Sequence, residues 1–234
     1  MQISQRQFRS SLTDHCSFIV LVALLLLSMS WSGTSHAQDH AWEMQKENAH
    51  TRVFSRAVKG SPLREIKGTT QVDTGLKQLI TFLQDPDINE EWVPYSGGAA
   101  ILEQAPSLQT HVHFVMNASW PFQKRDAVAL FTLFQPEENK VRISIDSKPH
   151  KLPPIKGVVR ILEYRGYWLL TAVSSKKTEV EYQNYVEPGG NVPAWLANSV
   201  AVKTTFQALE NLREQAPRYN KPVAPHLNFI KDAP

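Results

Sequence analysis

The stretch from residue 178 to 215, TEVEYQNYVEPGGNVPAWLANSVAVKTTFQALENLREQ, changes character halfway and decides the fold class. Thr178 to Val186 reads as a strand. Pro188-Gly189-Gly190 breaks it, Pro193 suits the first turn of a helix, and Pro217 ends that helix. From Pro193 to Gln215 the helix is amphipathic, with Leu196, Val200, Phe206, Leu209 and Leu212 expected to form most of its apolar side. A helix of that kind needs an apolar surface to cover.

The surface is upstream. From Ala99 to Val186 the pattern is almost wholly β, in runs Ala100 to Gln104, Gln109 to Asn117, Ala127 to Gln135, Lys140 to Ser147, Gly157 to Tyr164, Tyr167 to Ser174 and Thr178 to Val186. His50 to Lys59 and Leu63 to Val72 add two strands around the hairpin signal Gly60-Ser61-Pro62. Eight or nine strands, mostly antiparallel, with one long helix predict an α+β domain. Between the two strand groups, Leu76, Leu79, Ile80 and Leu83 recur at helical spacing. Asp73 or Thr74 can cap that helix and Asp85-Pro86 stops it. A short helix is expected at Ile88 to Val93, and Asp39 to Ala49 reads as a leading helix. The Pro-rich tail, 218–234, reads as extended or loosely attached.

Residues 1–37 have the form of an export signal. Arg6 and Arg9 precede the apolar run Phe18 to Leu27, and Ser35-His36-Ala37 fits a small-x-small cleavage site. The run is too short for a spanning helix, which needs roughly 20 apolar residues. The expectation is an exported protein, periplasmic or secreted, whose mature domain spans 38–217 before the tail. Removing Arg6, Arg9 and Asp14 lowers the formal charge from +3 to +2, and removing Cys16 leaves no cysteine, hence no disulfide. So small a charge does not imply a nucleic-acid partner, which would need clustered basic residues, and none is expected.

Signatures of catalysis are sparse. The sequence has no G-x-S-x-G elbow, no G-x-G-x-x-G and no P-loop. His111 and His113 share one face of a predicted strand, either as a two-imidazole metal site or as the polar side opposite Val112, Phe114 and Met116. Arg125-Asp126 leads into the apolar strand from Ala127 to Phe134, either as a charge pair at a strand entry or as a ligand headgroup contact.

Three ordered blocks carry a family resemblance. They are Trp120-Pro121-Phe122-Gln123-Lys124-Arg125-Asp126-Ala127-Val128; Gly157-Val158-Val159-Arg160-Ile161 followed by Tyr167-Trp168; and Tyr182 through Glu187-Pro188-Gly189-Gly190-Asn191-Val192-Pro193-Ala194-Trp195-Leu196-Ala197-Asn198. The third resembles the strand-to-helix turn of START (steroidogenic-acute-regulatory-related lipid transfer) domains, with Glu187 where that family often has Asp. The resemblance implies a helix-grip fold, a curved antiparallel sheet wrapped around a long C-terminal helix. Between sheet and helix it implies a cavity for one lipid or sterol-like molecule, with the helix and adjacent loops as a lid. Gly189-Gly190 would then serve as a hinge or as a tight turn.

The implied role is non-catalytic binding or transfer of a hydrophobic ligand, with transient membrane contact and no cofactor. Val112, Phe114 and Met116, Ala129, Phe131 and Leu133 beside Ala127, and Val200 and Phe206 of the helix are the implied ligand-facing residues. Small Ala127 and Ala129 would leave room there. Some family members carry a buried carboxylate and arginine near the positions of Val112 and Phe131. Both are apolar here, which leaves Arg160, Tyr182 and Asn184 as the polar candidates. The alternative is a cyclase- or aromatase-like enzyme of the same fold, which would need a buried acid-base pair and would be favoured by His111, Arg160 and Tyr182 facing one cavity.

Overall fold

Local alternation carries ten segments of the described chain into one sheet. The computed structural model describes residues 41–105, 108–118 and 123–231. The export-signal reading of residues 1–37 and Trp120-Pro121-Phe122 of the first block lie outside them. Ten strands form: β1 (Glu43–Glu47), β2 (Arg52–Val58), β3 (Ser61–Val72), β4 (Ser96–Ala105), β5 (Gln109–Met116), β6 (Arg125–Glu137), β7 (Lys140–Ser147), β8 (Val159–Arg160), β9 (Glu163–Ser174) and β10 (Lys177–Glu187). Their order is β1-β2-β3-β10-β9-β7-β6-β5-β4, every neighbour antiparallel, with the two-residue β8 parallel to β6. Helices α1 (Leu76–Gln84) and α2 (Asn89–Trp92) connect β3 to β4, and α3 (Ala194–Gln215) follows β10. Asp39–Pro234 forms a compact unit, and its core joins both helical segments to the sheet. The α+β helix-grip expectation holds: a large curved antiparallel sheet and one long C-terminal helix.

Four local expectations change. The leading helix is instead strand β1, because Glu43–Glu47 pairs along β2 and adds an edge to the sheet. The run from Gly157 to Tyr164 is not one strand. It contracts to β8, and Tyr164 belongs to β9, where Gly166 continues the strand that a Gly would be expected to interrupt. Helix α1 begins after Gly75 with no side-chain cap, so neither Asp73 nor Thr74 caps it. The tail is docked. Leu227 and Ile230 are buried, Tyr219 donates to Asp85 at 2.9 Å, and Gln78 donates to the carbonyls of Tyr219 and Lys221.

One glycine fixes how close the helix lies. A Cβ on Gly68 of β3 would stand 2.4 Å from Leu209 Cδ1 and 2.9 Å from Thr205 Cγ2. Leu209 is fully buried, and both it and Thr205 must shift to admit a larger side chain. Gly68→Val is therefore expected to destabilise the fold by about 1–3 kcal/mol through overpacking. A denaturant midpoint equal to the parent's would show that α3 is not held against β3.

Candidate ligand-binding site

Because Gly68 meets α3, its face of the sheet is the inner one, and the strand register carries that assignment across. Gly68 pairs with Tyr182, Tyr182 with Trp168, Trp168 with Ile143, and Ile143 with Leu133. The adjacent inner row runs Ile66, Asn184, Gly166, Ile145, Phe131 and Thr110. The next joins Ala129 to Val112, and Ala127 pairs with Phe114. The register thus brings Val112, Phe114, Met116, Ala129, Phe131, Leu133, Tyr182 and Asn184 onto one surface. Every residue of β5 is half-buried, and the Phe114 and Phe131 rings lie 5.6 Å apart.

The polar part of this wall is small. Tyr182 stacks on Trp168 at 4.1 Å, and its hydroxyl lies 3.1 Å from that of Tyr164. Burial pushes both phenols above their ordinary value, so both stay neutral. One hydroxyl donates to the other, which leaves one O–H uncommitted within the pair. Asn184, 6% exposed, makes no side-chain hydrogen bond among the described residues. Gly166, directly opposite it, lets the two strands approach closely: a Cβ there would stand 2.1 Å from Gln183 O.

Sequence reasoning missed Tyr164 and Trp168 as wall residues. Tyr164, Gly166, Trp168, Leu170 and Ala172 alternate along one face. The signal was there once the strand was read through Gly166. The wall continues through Trp92 at 6.2 Å from Trp168, Phe82 at 5.6 Å from Trp92, and Tyr219 at 5.3 Å from Phe82. The tail therefore backs the aromatic end of the site.

Three expected wall residues lie elsewhere. Arg160 turns away. Asp126 is on the outer face of β6, and Arg160 donates to it bidentately, Nε to Oδ1 and Nη2 to Oδ2, both at 2.9 Å. A buried guanidinium goes where a carboxylate can receive it. Val200 is exposed, because at about 100° per residue it lies roughly 180° around α3 from Leu209. The buried face of the helix instead follows Thr205, Leu209 and Leu212. Phe206 turns toward the β1 edge, under the Lys46 ammonium at 4.2 Å.

The remaining polar motifs resolve on the outer face. His113 Nε2 lies 2.9 Å from Asp126 Oδ2, and His111 lies 3.6 Å from Glu103, so the two imidazoles serve different partners. No metal-holding cluster occurs among the described residues. Burial alone would raise the Asp126 carboxyl, but the hydrogen bonds and charges of Arg160 and His113 outweigh it and hold it below the ordinary carboxylate value. Arg125 does not pair with Asp126. It donates to the carbonyls of Pro188 and Gln123, tying β6 to the turn that starts α3. In that turn Gly189 and Gly190 both have positive φ, a tight left-handed path that suits glycine.

Comparison with known proteins agrees with this architecture. A START domain model matches residues 34–221. An uncharacterized protein of Pseudomonas aeruginosa is 27% identical over 185 residues, 79% of this chain and 90% of that one. Human phosphatidylcholine transfer protein is 22% identical over 203 residues, 82% of this chain and 93% of that one. The crystal structure of a STAR-related lipid transfer protein fragment from Xanthomonas axonopodis is 30% identical, with a TM-score of 0.70, covering 75% of this chain and 98% of that one. With the match spanning most of the chain, and with sheet, closing helix and inner wall arranged as described, the protein belongs to the START domain family.

Proposed function

We propose that this protein binds and carries one lipid or similarly hydrophobic molecule between the inner face of the sheet and α3. It works outside the cytoplasm and loads and unloads by transient membrane contact. The observation that carries the reading is Asn184, buried in an apolar wall with its amide unpaired among the described residues. Its amide atoms are not sealed in by the protein, so they face open space that water or a ligand can occupy. A ligand that is mostly apolar but bears an ester, hydroxyl or phosphate suits that amide, and the Tyr164–Tyr182 pair supplies a further donor beside it. The lipid-transfer proteins among the relatives support the same reading, as does the export-like leader. Binding rather than catalysis fits a wall whose polar groups named above are two neutral phenols, an amide and the Thr110 hydroxyl. None of these exchanges a proton readily near neutral pH.

Native mass spectrometry of protein purified from its own host, followed by lipid extraction, tests this. The expected result is one releasable lipid per chain. Protein that is empty and ignores sterols, fatty acids and phospholipids would refute carriage. Asn184→Leu gives a sharper check. Lipid-free variant is expected to be at least as stable as lipid-free parent, because Leu puts an apolar side chain into an apolar wall. The same variant should lose bound lipid more readily. Bound lipid retained as tightly as by the parent would mean that the Asn184 amide does not touch the ligand.

A further inference from the structure

Topology gathers an unusual set of groups at one end of the sheet. That end holds the start of β4, the end of β5, the start of β6, the end of β7, β8, the start of β9 and the first turn of α3. The opposite end is filled by the core that α1, the end of α3 and the tail complete. Here Tyr95, Ile155, Leu162 and Trp195 are exposed, Trp195 at 72% and Leu162 at 61%. Exposed aromatic and aliphatic groups at the end of a domain mark a contact surface.

The connection from β7 to β8, SKPHKLPPIKGV over residues 147–158, carries Lys148, His150, Lys151 and Lys156 and no acidic residue. It is held from behind. Arg160, fixed on Asp126, donates through its remaining N–H groups to the carbonyls of Pro149, Leu152 at 2.9 Å and Pro153 at 3.2 Å. Val158 N closes a turn on Ile155 O at 3.1 Å, which presents Ile155 and Lys156 together. Lys124 joins the group, because its carbonyl accepts from Val159 N at 2.9 Å. Lys151 is neutralised by Glu103 at 2.6 Å. Lys124, Lys148 and Lys156 are exposed and form no ion pair with any described residue. Of the acids on β7, β9 and β10 at this end, Glu163 pairs with Arg165, Tyr185 donates to Glu187, and Asp146 sits across from Arg165.

We propose that this end is a docking surface for a bilayer carrying anionic headgroups, with Lys124, Lys148 and Lys156 facing the phosphates and Ile155, Leu162 and Trp195 reaching the acyl boundary. The proposal rests on the carrier reading and supplies its partner: the membrane that gives or takes the lipid is negatively charged. Apolar groups alone would bind any bilayer. The three unpaired lysines on a loop fixed by the Arg160–Asp126 clamp are what select an anionic one, and they are already in place, so docking orders little.

Vesicle sedimentation of the chain from Asp39 onward, which contains the whole described core, tests this. The probes are phosphatidylcholine vesicles and vesicles of equal parts phosphatidylcholine and phosphatidylglycerol. Each lysine near an anionic surface contributes about fivefold in partitioning, so Lys124→Gln/Lys148→Gln/Lys156→Gln is expected to bind the anionic vesicles about 100-fold less than the parent. The parent's binding should fall as salt is added. The same charge removed from the far end, Lys176→Gln/Lys177→Gln/Lys231→Gln, should leave binding near the parent's. Equal binding by the first variant, or no preference of the parent for the anionic vesicles, overturns the proposal. Thermal melting of both variants shows that they fold. Lipid extraction from the parent separates the two claims: bound lipid without anionic preference leaves carriage standing and removes only the docking surface.

Discussion

Asp126→Ala is expected to lower stability by about 3–5 kcal/mol, because it leaves the Arg160 guanidinium buried without its carboxylate. For a domain of this size that is a drop of roughly 6–20 °C in Tm. Asp126 is fully buried and accepts from Arg160 twice and from His113 once. Losing it also frees the guanidinium that holds the loop from Pro149 to Pro153. Replacing both partners, Asp126→Leu with Arg160→Met, should cost less than Asp126→Ala alone, since no charge is then buried unpaired. Thermal unfolding of the two variants decides it. If the double variant is the less stable, the loop hydrogen bonds outweigh the ion pair.

The same carboxyl sets an acid limit. Its folded value lies below the ordinary one. Its contribution is therefore present above the unfolded value of about 3.9 and is lost as pH falls through the lower folded value. Parent and Asp126→Ala stabilities should converge in that acid window and stay apart at neutral pH. Parallel curves throughout would mean that the network does not depend on the ionised carboxylate.

Leu227→Ala with Ile230→Ala is expected to cost at least about 4 kcal/mol, since each truncates a fully buried side chain worth about 2–5 kcal/mol. Both belong to the main core cluster with residues of α1, β6, β7 and β9. The tail also carries ion pairs, Lys221 with Asp85 at 2.6 Å and Lys231 with Glu138 at 3.0 Å. Lys221 and Lys231 are exposed, so solvent screens their charges, and Tyr219 still donates to Asp85 when Lys221 is removed. Lys221→Met should therefore change the unfolding midpoint little, while the double alanine variant should melt early and be cut by protease within 219–231. If Lys221→Met proved the more damaging, charge rather than burial would hold the tail.

How far the sequence reached follows from how local each signal is. Alternation is a property of neighbouring residues, so Val112, Phe114 and Met116 separated from His111 and His113 without knowledge of the fold. Pro188-Gly189-Gly190 and Pro217 bounded the final helix for the same reason, and Leu209 and Leu212 marked part of its buried face. The ordered blocks made the helix-grip architecture legible as well.

What needed the tertiary structure was every choice between two chemically acceptable places. The helix has apolar residues around more than one side, so its rotation was settled by Gly68 admitting Leu209 and Thr205, which left Val200 in solvent. Arg160 suited a ligand or a carboxylate equally well by residue type. Only the register, which sends Asp126 to the outer face beside His113, sent Arg160 there too. The tail looked loose because prolines remove regular hydrogen bonding. Leu227 and Ile230 are nonetheless buried, because burial depends on a surface that α1 and the sheet create together, far away in sequence. Asn184 shows the same division. The sequence puts an amide in a strand, and the fold alone decides that its neighbours are apolar and that it has no described partner.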